Sequence, residues 1–217
     1  MHQCLTCYKF KAQATQQLMA ELPSARVQPS RPLLITGIDY AGPISLRLGT
    51  IRIKTIIKDY IAIFVCFTTR AVRTEVVTSL TTEAFLAALR RFIARRGKPS
   101  TIYSDNGTNF QGAANQLYEI YNMLPSSSEM ARVQDFLANE GCDWKFIPPH
   151  GLHFGGLWEA AVKSMKYHLR RTLGSHIATY EELSTLLAEI EACLNTRPLC
   201  TLSDDPFNQT YLSPDTF

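Results

Sequence analysis

Leu33-Leu-Ile-Thr-Gly-Ile-Asp-Tyr40 is a run of apolar and β-branched residues with one carboxylate, Asp39, near its end. It predicts a β-strand that stops at the turn signal Ala41-Gly-Pro43. The reading extends outward from there. Ile51 to Ile57 and Tyr60 to Phe67 predict two further strands, with a fainter continuation from Arg73 to Val77. Thr81 to Arg96 changes to helical period, with Phe85, Leu86, Leu89, Phe92 and Ile93 on one stripe. Thr81 is placed to cap that helix and Gly97-Lys98-Pro99 to end it. Thr101 to Ser104 predicts a short strand that runs straight into Asp105-Asn-Gly107. Helical patterns follow at 112–124 and 129–139, then a strand from Trp144 to Ile147. A glycine-containing loop, Pro148 to Gly156, leads to a helix from Leu157. A last helix spans Tyr180 to Leu194, with Thr179 and Glu182 in a capping-box pattern. Strands interleaved with helices in this order predict an α/β layer architecture with a mixed sheet.

Composition sets the outer limits. The 217 residues suffice for one sizeable domain, and 46% hydrophobic content fits a globular chain. No apolar run approaches the roughly 20 residues a membrane span needs, so no membrane partner is expected. The N-terminus lacks the basic head and apolar core of a signal peptide. The six cysteines do not form a secreted disulfide framework, and Cys66 and Cys193 read as buried thiols in a reducing compartment. Cys4 and Cys7 form a CxxC with only His2 nearby, half of a zinc site whose other half would lie upstream of Met1. The net charge of +3 is small, so the placement of charges carries more information than their sum. Residues 20–32 hold three prolines and read as a linker.

Three carboxylates occupy special places: Asp39 and Asp105 at strand ends, and Glu159 in the first turn of a helix. Ligands of open α/β sheets gather at strand ends. If the first and fourth strands are parallel neighbours, Asp39 and Asp105 stand side by side and need a shared proton or a cation. Oxygen ligands select hard ions, Mg²⁺ or Mn²⁺. With a third carboxylate, two such ions would suit phosphodiester chemistry. Each residue alone also has a structural reading. Asp-Asn-Gly forms turns, and a first-turn Glu meets the helix dipole.

The helix face weighs against those separate readings. Glu159, Lys163, Lys166 and Arg170 fall within about 60° of arc at 100° per residue. Leu157, Ala161, Val162, Met165 and Leu169 occupy another sector. A Glu159–Lys163 surface pair would be worth about 0.2–0.5 kcal/mol. It would leave Lys166 and Arg170 to form a stripe suited to a phosphate backbone.

At these residues the chain resembles the integrases of long-terminal-repeat retroelements, most closely the BEL/Pao retrotransposon branch. The resemblance rests on Gly37-Ile-Asp39-Tyr-Ala-Gly-Pro43, Tyr103-Ser-Asp105-Asn-Gly-Thr-Asn-Phe110 and His153-Phe-Gly-Gly-Leu-Trp-Glu159-Ala-Ala-Val-Lys163. Ala84 to Pro99 and Leu194-Asn-Thr-Arg-Pro-Leu199 also match, so it covers almost the whole chain. It implies a ribonuclease-H-like mixed five-stranded sheet flanked by helices. It implies a metal-binding triad of Asp39, Asp105 and Glu159 with two Mg²⁺ or Mn²⁺ ions, and DNA 3′-end processing followed by strand transfer. Lys163 and Lys166 stand where related enzymes hold the element's DNA end, and Arg170 continues that face. Cys4 and Cys7 would belong to an N-terminal zinc module, with Zn²⁺ bound only when upstream residues are present. The implied layout is a zinc-module remnant and linker at 1–30, a catalytic core at 31–200, and the start of a C-terminal linker at 201–217. Joining two DNA ends implies a homo-oligomer, and a DNA substrate implies the nucleus. His150 and His153 read as loop structure or DNA contacts. Arg73-Thr74-Glu75 replaces the usual His-Leu-Glu, and the span from Asp105 to Glu159 exceeds that of retroviral enzymes. The alternative is a catalytically silent, domesticated or decayed fragment that binds DNA or partners.

Overall fold

A computed structural model describes residues 22–48, 55–104, 141–147, 152–203 and 210–216. Its elements are α1 (Ser24–Val27), β1 (Ile35–Arg47), β2 (Ile56–Cys66), β3 (Val72–Val77), α2 (Thr82–Arg96) and β4 (Thr101–Ser104). They continue with β5 (Asp143–Phe146), α3 (Leu152–Leu173), α4 (Tyr180–Asn195), β6 (Cys200–Thr201), β7 (Tyr211–Leu212) and a 3₁₀ turn (Pro214–Thr216). The main sheet has five strands in the order β3-β2-β1-β4-β5. β1–β2 and β2–β3 are antiparallel, whereas β1–β4 and β4–β5 are parallel. The expected mixed five-stranded sheet is therefore present among the described residues.

Several boundaries differ from the sequence reading. β1 does not turn at Ala41-Gly-Pro43 but shifts register between Ala41 and Ile44 and continues to Arg47. The two strands expected at Ile51–Ile57 and Tyr60–Phe67 join, where described, into one β2, because Ile56–Asp59 and Ile61–Cys66 both pair with β1, on either side of its register shift. The expected linker contains the one-turn helix α1. α3 begins at Leu152, so His153, Gly155 and Gly156 lie in helix rather than loop. Packing of the apolar stripe outweighs the weak helix preference of two glycines. Cys66 is buried as expected, but Cys193 is exposed on α4. The helices expected at 112–124 and 129–139 lie outside the described residues, as does His150.

Each face of the sheet carries its own apolar layer. Ile38, Tyr40, Ala62, Phe64 and Ile102 pack with Phe85, Leu89 and Phe92 of α2. Ala41, Ile61, Ile63 and Val65 pack with Trp158, Met165 and Leu169 of α3 and with Leu183, Leu187 and Ile190 of α4. The period-2 alternation of the strands sorts residues between these layers. Thr81 accepts a bond from Ala84 N–H at the start of α2, Gly97 closes that helix at φ 82°, and the Thr179/Glu182 capping box opens α4.

α4 also covers the free edge of β3. Asn195 accepts from Val72 N–H at 2.8 Å and donates to Val72 O at 2.9 Å. Thr74 N–H donates to Glu191 at 3.0 Å. Strand edges invite foreign pairing, and here α4 side chains occupy the edge groups. Buried Glu75 meets Arg73, Arg91 and Arg95, and buried Glu191 meets Arg73 and Arg96, all within 3.2 Å. Charge-assisted bonds of this kind tie β3, α2 and α4 together. The Glu75 and Glu191 pairs raise the Arg73 pKa against the opposing effect of burial.

Two outcomes test the packing. Gly37 on β1 faces Trp158, and a Cβ there would collide with ring carbons Cε3 and Cζ3. Gly37→Ala is expected to cost about 2 kcal/mol by overpacking, read from urea unfolding. Asp59 on β2 is 1% exposed with neither carboxylate oxygen hydrogen-bonded among the described residues, and burial raises its pKa. The ionised form thus destabilises the fold above the ordinary aspartyl pKa of about 3.9. That loss disappears once folded and unfolded states are both protonated. Asp59→Asn is expected to raise Tm at about pH 7 and to lose the advantage near about pH 3.

Candidate active site

β1 brings Asp39 to the α3 side of the sheet. Its neighbours Ile38 and Tyr40 belong to the α2 layer, whereas Gly37 faces Trp158 and Ala41 belongs to the α3/α4 layer. Alternation places Asp39 with Gly37 and Ala41. Asp39 is 7% exposed, and its Oδ1 accepts from Tyr40 N–H at 2.7 Å. Beside it, β4 runs parallel to β1 with Ser104 opposite Ile38, so the described end of β4 stands one residue before the level of Asp39. The parallel adjacency needed to juxtapose the first two acidic motifs is therefore present. Asp105 itself, like Cys4 and Cys7, lies outside the described residues.

Trp158 is 1% exposed against the bare backbone of Gly37, and this contact sets α3 on β1. Phe67 lies 6.0 Å from the Trp158 ring and stacks on Tyr103 at 4.8 Å. Gly37, Tyr103 and Trp158 are near neighbours in sequence of Asp39, Asp105 and Glu159, respectively. One aromatic cluster thus joins the backbones that carry the three acids. Such ring pairs add about 0.5–1.5 kcal/mol each beyond their buried area.

Glu159 is exposed and lies well inside α3, so its expected place in the first turn is corrected. The helix begins earlier because the glycines join it. The alternative reading of Glu159 and Lys163 as a surface pair finds no support, since neither is in an ion pair among the described residues. Glu159 instead reaches back toward the helix N-terminus. A Cβ added at Gly155 would stand 2.8 Å from Glu159 Oε1. Gly155, which the sequence reading treated only as part of a loop, therefore leaves open the space its carboxylate fills. A glycine four residues before the acid becomes informative only once both are known to share a helix.

The two flanks of α3 are now distinguishable. Gly156, Leu157, Ala160 and Ser164 share a cavity with Leu194 and Arg197, on the α4 side. On the other flank, Lys166 and Arg170 line a groove of about 320 Å³ beside Gly42 and Pro43. Helical spacing puts Glu159 and Lys163 on that same flank. Lys163 and Arg170 are exposed and Lys166 is half-buried. None of the three takes part in an ion pair among the described residues. Arg171 is committed elsewhere, donating to Tyr167 Oη at 2.6 Å with its guanidinium 5.2 Å from that ring.

Comparison with known proteins gives this arrangement a family context. Residues 46–151 match the family model described as Integrase core domain. That span is just under half of the chain; it includes Asp105 and excludes Asp39 and Glu159. A chain in the structure of the simian T-cell lymphotropic virus intasome in complex with PP2A regulatory subunit B56 gamma aligns with TM-score 0.52 and 18% identity. The alignment covers 94% of this chain and 60% of the intasome chain, so this protein spans about three-fifths of that neighbour's length. The HTLV-2 integrase catalytic core domain in complex with magnesium, in its dimeric form, aligns with TM-score 0.47 and 18% identity, covering 80% of this chain and 92% of that one. No curated protein matches the chain. The fold is the ribonuclease-H-like mixed five-stranded sheet flanked by helices that integrase catalytic cores share, and residues 46–151 are similar to the Integrase core domain.

The donors fit a hard cation in kind. Asp39 is a buried carboxylate, and the Glu159 carboxylate rests in a space that only a glycine at 155 keeps open. All-oxygen donors favour Mg²⁺ or Mn²⁺ over softer metals. Among the described residues no cluster of three or more His, Cys, Asp or Glu is placed to share a metal. No described helix is long and apolar enough to cross a membrane.

Gly155→Ala provides a direct test of the Glu159 seat. The group it would press on is the end of a flexible side chain, and alanine favours helix by up to about 1 kcal/mol. The variant is expected to fold with equal or higher Tm while its Glu159 carboxylate swings away. Comparison of crystal structures of the two proteins would show that displacement; an unmoved carboxylate would refute the assignment.

Proposed function

We propose that this chain is the catalytic core of a retroelement integrase of the BEL/Pao type, acting in the nucleus as part of a multimer. It trims the 3′ ends of element DNA and joins them to target DNA. Asp39, Asp105 and Glu159 form its acidic triad. The observation that carries the reading is the seating of Trp158 on Gly37, which sets the helix bearing Glu159 over the strand bearing Asp39. The parallel β1–β4 pairing, leading toward Asp105, supports it.

The chain's residues divide the work. Asp39, Asp105 and Glu159 would hold Mg²⁺ or Mn²⁺ by oxygen donors alone. Such ions, when bound, lower the pKa of an attacking water or hydroxyl and stabilise the leaving oxygen. Lys163, Lys166 and Arg170 extend the Glu159 flank and would grip the phosphate backbone of the element's end. Gly155 keeps the space for the Glu159 carboxylate, so the helix presents acid and bases on one flank without their neutralising each other. No histidine base is required. His153 is part of α3 and is not assigned to proton transfer. The Cys4–Cys7 pair would take Zn²⁺ only together with ligands supplied upstream.

The test compares wild type with Glu159→Gln on labelled element-end oligonucleotides across a Mg²⁺ and Mn²⁺ series, with the N- and C-terminal modules of a complete integrase supplied. Glu159→Gln is expected to lower nicking and strand transfer by at least about a hundredfold, since changes one shell further out cost 10–100-fold. Far-ultraviolet circular dichroism should be unchanged. Equal activity in both proteins would refute the triad. Inactivity of both would favour the silent, DNA-holding alternative.

A further inference from the structure

The α4-facing flank of α3 carries a second concentration of charge. Arg26 of α1, Arg70 in the β2–β3 turn and Arg197 after α4 converge on a cavity of about 460 Å³. Its floor includes Val65, Leu157 and Leu194, and among the described residues no Asp or Glu lines it. These arginines are far apart in sequence, and none looks unusual there.

They differ from the protein's structural arginines. Arg73, Arg91, Arg95 and Arg96 are each paired with buried Glu75 or Glu191. Arg26, Arg70 and Arg197 have no carboxylate within ion-pair distance among the described residues. Burial and then the like charge of Arg70 lower the pKa of both Arg26 and Arg197. The cluster is nonetheless built into the fold. Arg197 donates to Leu194 O at 3.0 Å and to Arg70 O at 3.1 Å. Arg70 holds a left-handed backbone, φ 59°, its N–H bonded to Cys66 O at 3.1 Å. Three like charges brought to one cavity repel one another, and an anion among them relieves that repulsion.

We infer that this cavity is a second nucleic-acid contact, a site for DNA backbone phosphate on the α4-facing flank of α3. Guanidinium forks match phosphate oxygens in pairs. The apolar floor offers little to read base edges, so the contact is independent of sequence. The choice of DNA as the phosphate's source rests on the function proposed above; the phosphate chemistry does not. Helix α3 would then stand between two DNA-binding surfaces, one that places the cut and one that holds DNA beyond it.

The experiment measures anisotropy of a short labelled DNA duplex with the full chain over a salt series, without divalent metal. Arg26→Ala with Arg70→Ala is compared with Lys58→Ala plus Lys98→Ala, which removes the same charge from exposed sites elsewhere. The arginine pair is expected to weaken binding about tenfold and to reduce the slope of log K against log salt by about 2. The lysine pair should change both far less, and inorganic phosphate should compete more strongly with wild type than with the arginine pair. Equal effects of the two pairs, or none from the arginines, would overturn the proposal. So would a poly-glutamate peptide that depends on these arginines while DNA does not, since it would mark a protein-docking site. Should the double variant misfold, Arg70→Lys keeps the charge and removes the fork, and a several-fold loss of affinity is expected from it. Because no metal or turnover enters the readout, failure of the Glu159→Gln test leaves this result standing, and the reverse holds too.

Discussion

The seating of Trp158 on Gly37 is the contact on which the candidate site depends. An indole ring cannot approach a β-strand this closely if the strand residue carries a Cβ. The ring anchors α3 at one point, and the helix then fixes where each of its flanks lies. Glu159 follows Trp158 by one residue, and Asp39 follows Gly37 by two. A buried packing contact thus sets the relation between two carboxylates that do not need to touch. The Phe67–Tyr103 stack extends the same cluster to the strand that leads toward Asp105.

Charge is organised around this frame by contrast. Arginines that hold the fold together meet the buried carboxylates Glu75 and Glu191 at the edge of the sheet. Basic residues on the two flanks of α3 have no such partners among the described residues. Glu159, the one acid among the basic residues of its flank, turns back over Gly155 and leaves Lys163 unneutralised. The free energy of unpaired positive charge is modest at an exposed surface and larger in a partly enclosed cavity. Both surfaces are therefore disposed toward anions, the Arg26–Arg70–Arg197 cavity more tightly than the open stripe.

Much of the fold was legible in the sequence. Period-2 runs marked the strands, Thr81 and Thr179 marked helix starts, and Gly97 marked a helix end, because these signals act within a few residues. Errors arose where distant packing overrode a local signal. Ala41-Gly-Pro43 looks like a turn, yet β2 pairs on both sides of it and carries the strand through a register shift. Gly155 and Gly156 look like loop, yet the apolar stripe of α3 draws them into helix. Cys193 falls on an apolar-faced helix pattern, but its own position lies off the buried stripe.

The sequence by itself determined the alternation of strands and helices, the three acidic motifs and their order, and the basic stripe after Glu159. These depend on residue type and spacing along one segment. The tertiary structure decided which segments meet. Only the β1–β4 pairing makes neighbours of the first two motifs, and only the Trp158–Gly37 contact brings α3 onto β1. The same contact separates the flanks of α3, so that one carries Glu159 and the other faces three arginines from distant parts of the chain. Such convergence depends on long-range packing, which leaves no periodic trace in the residues it joins.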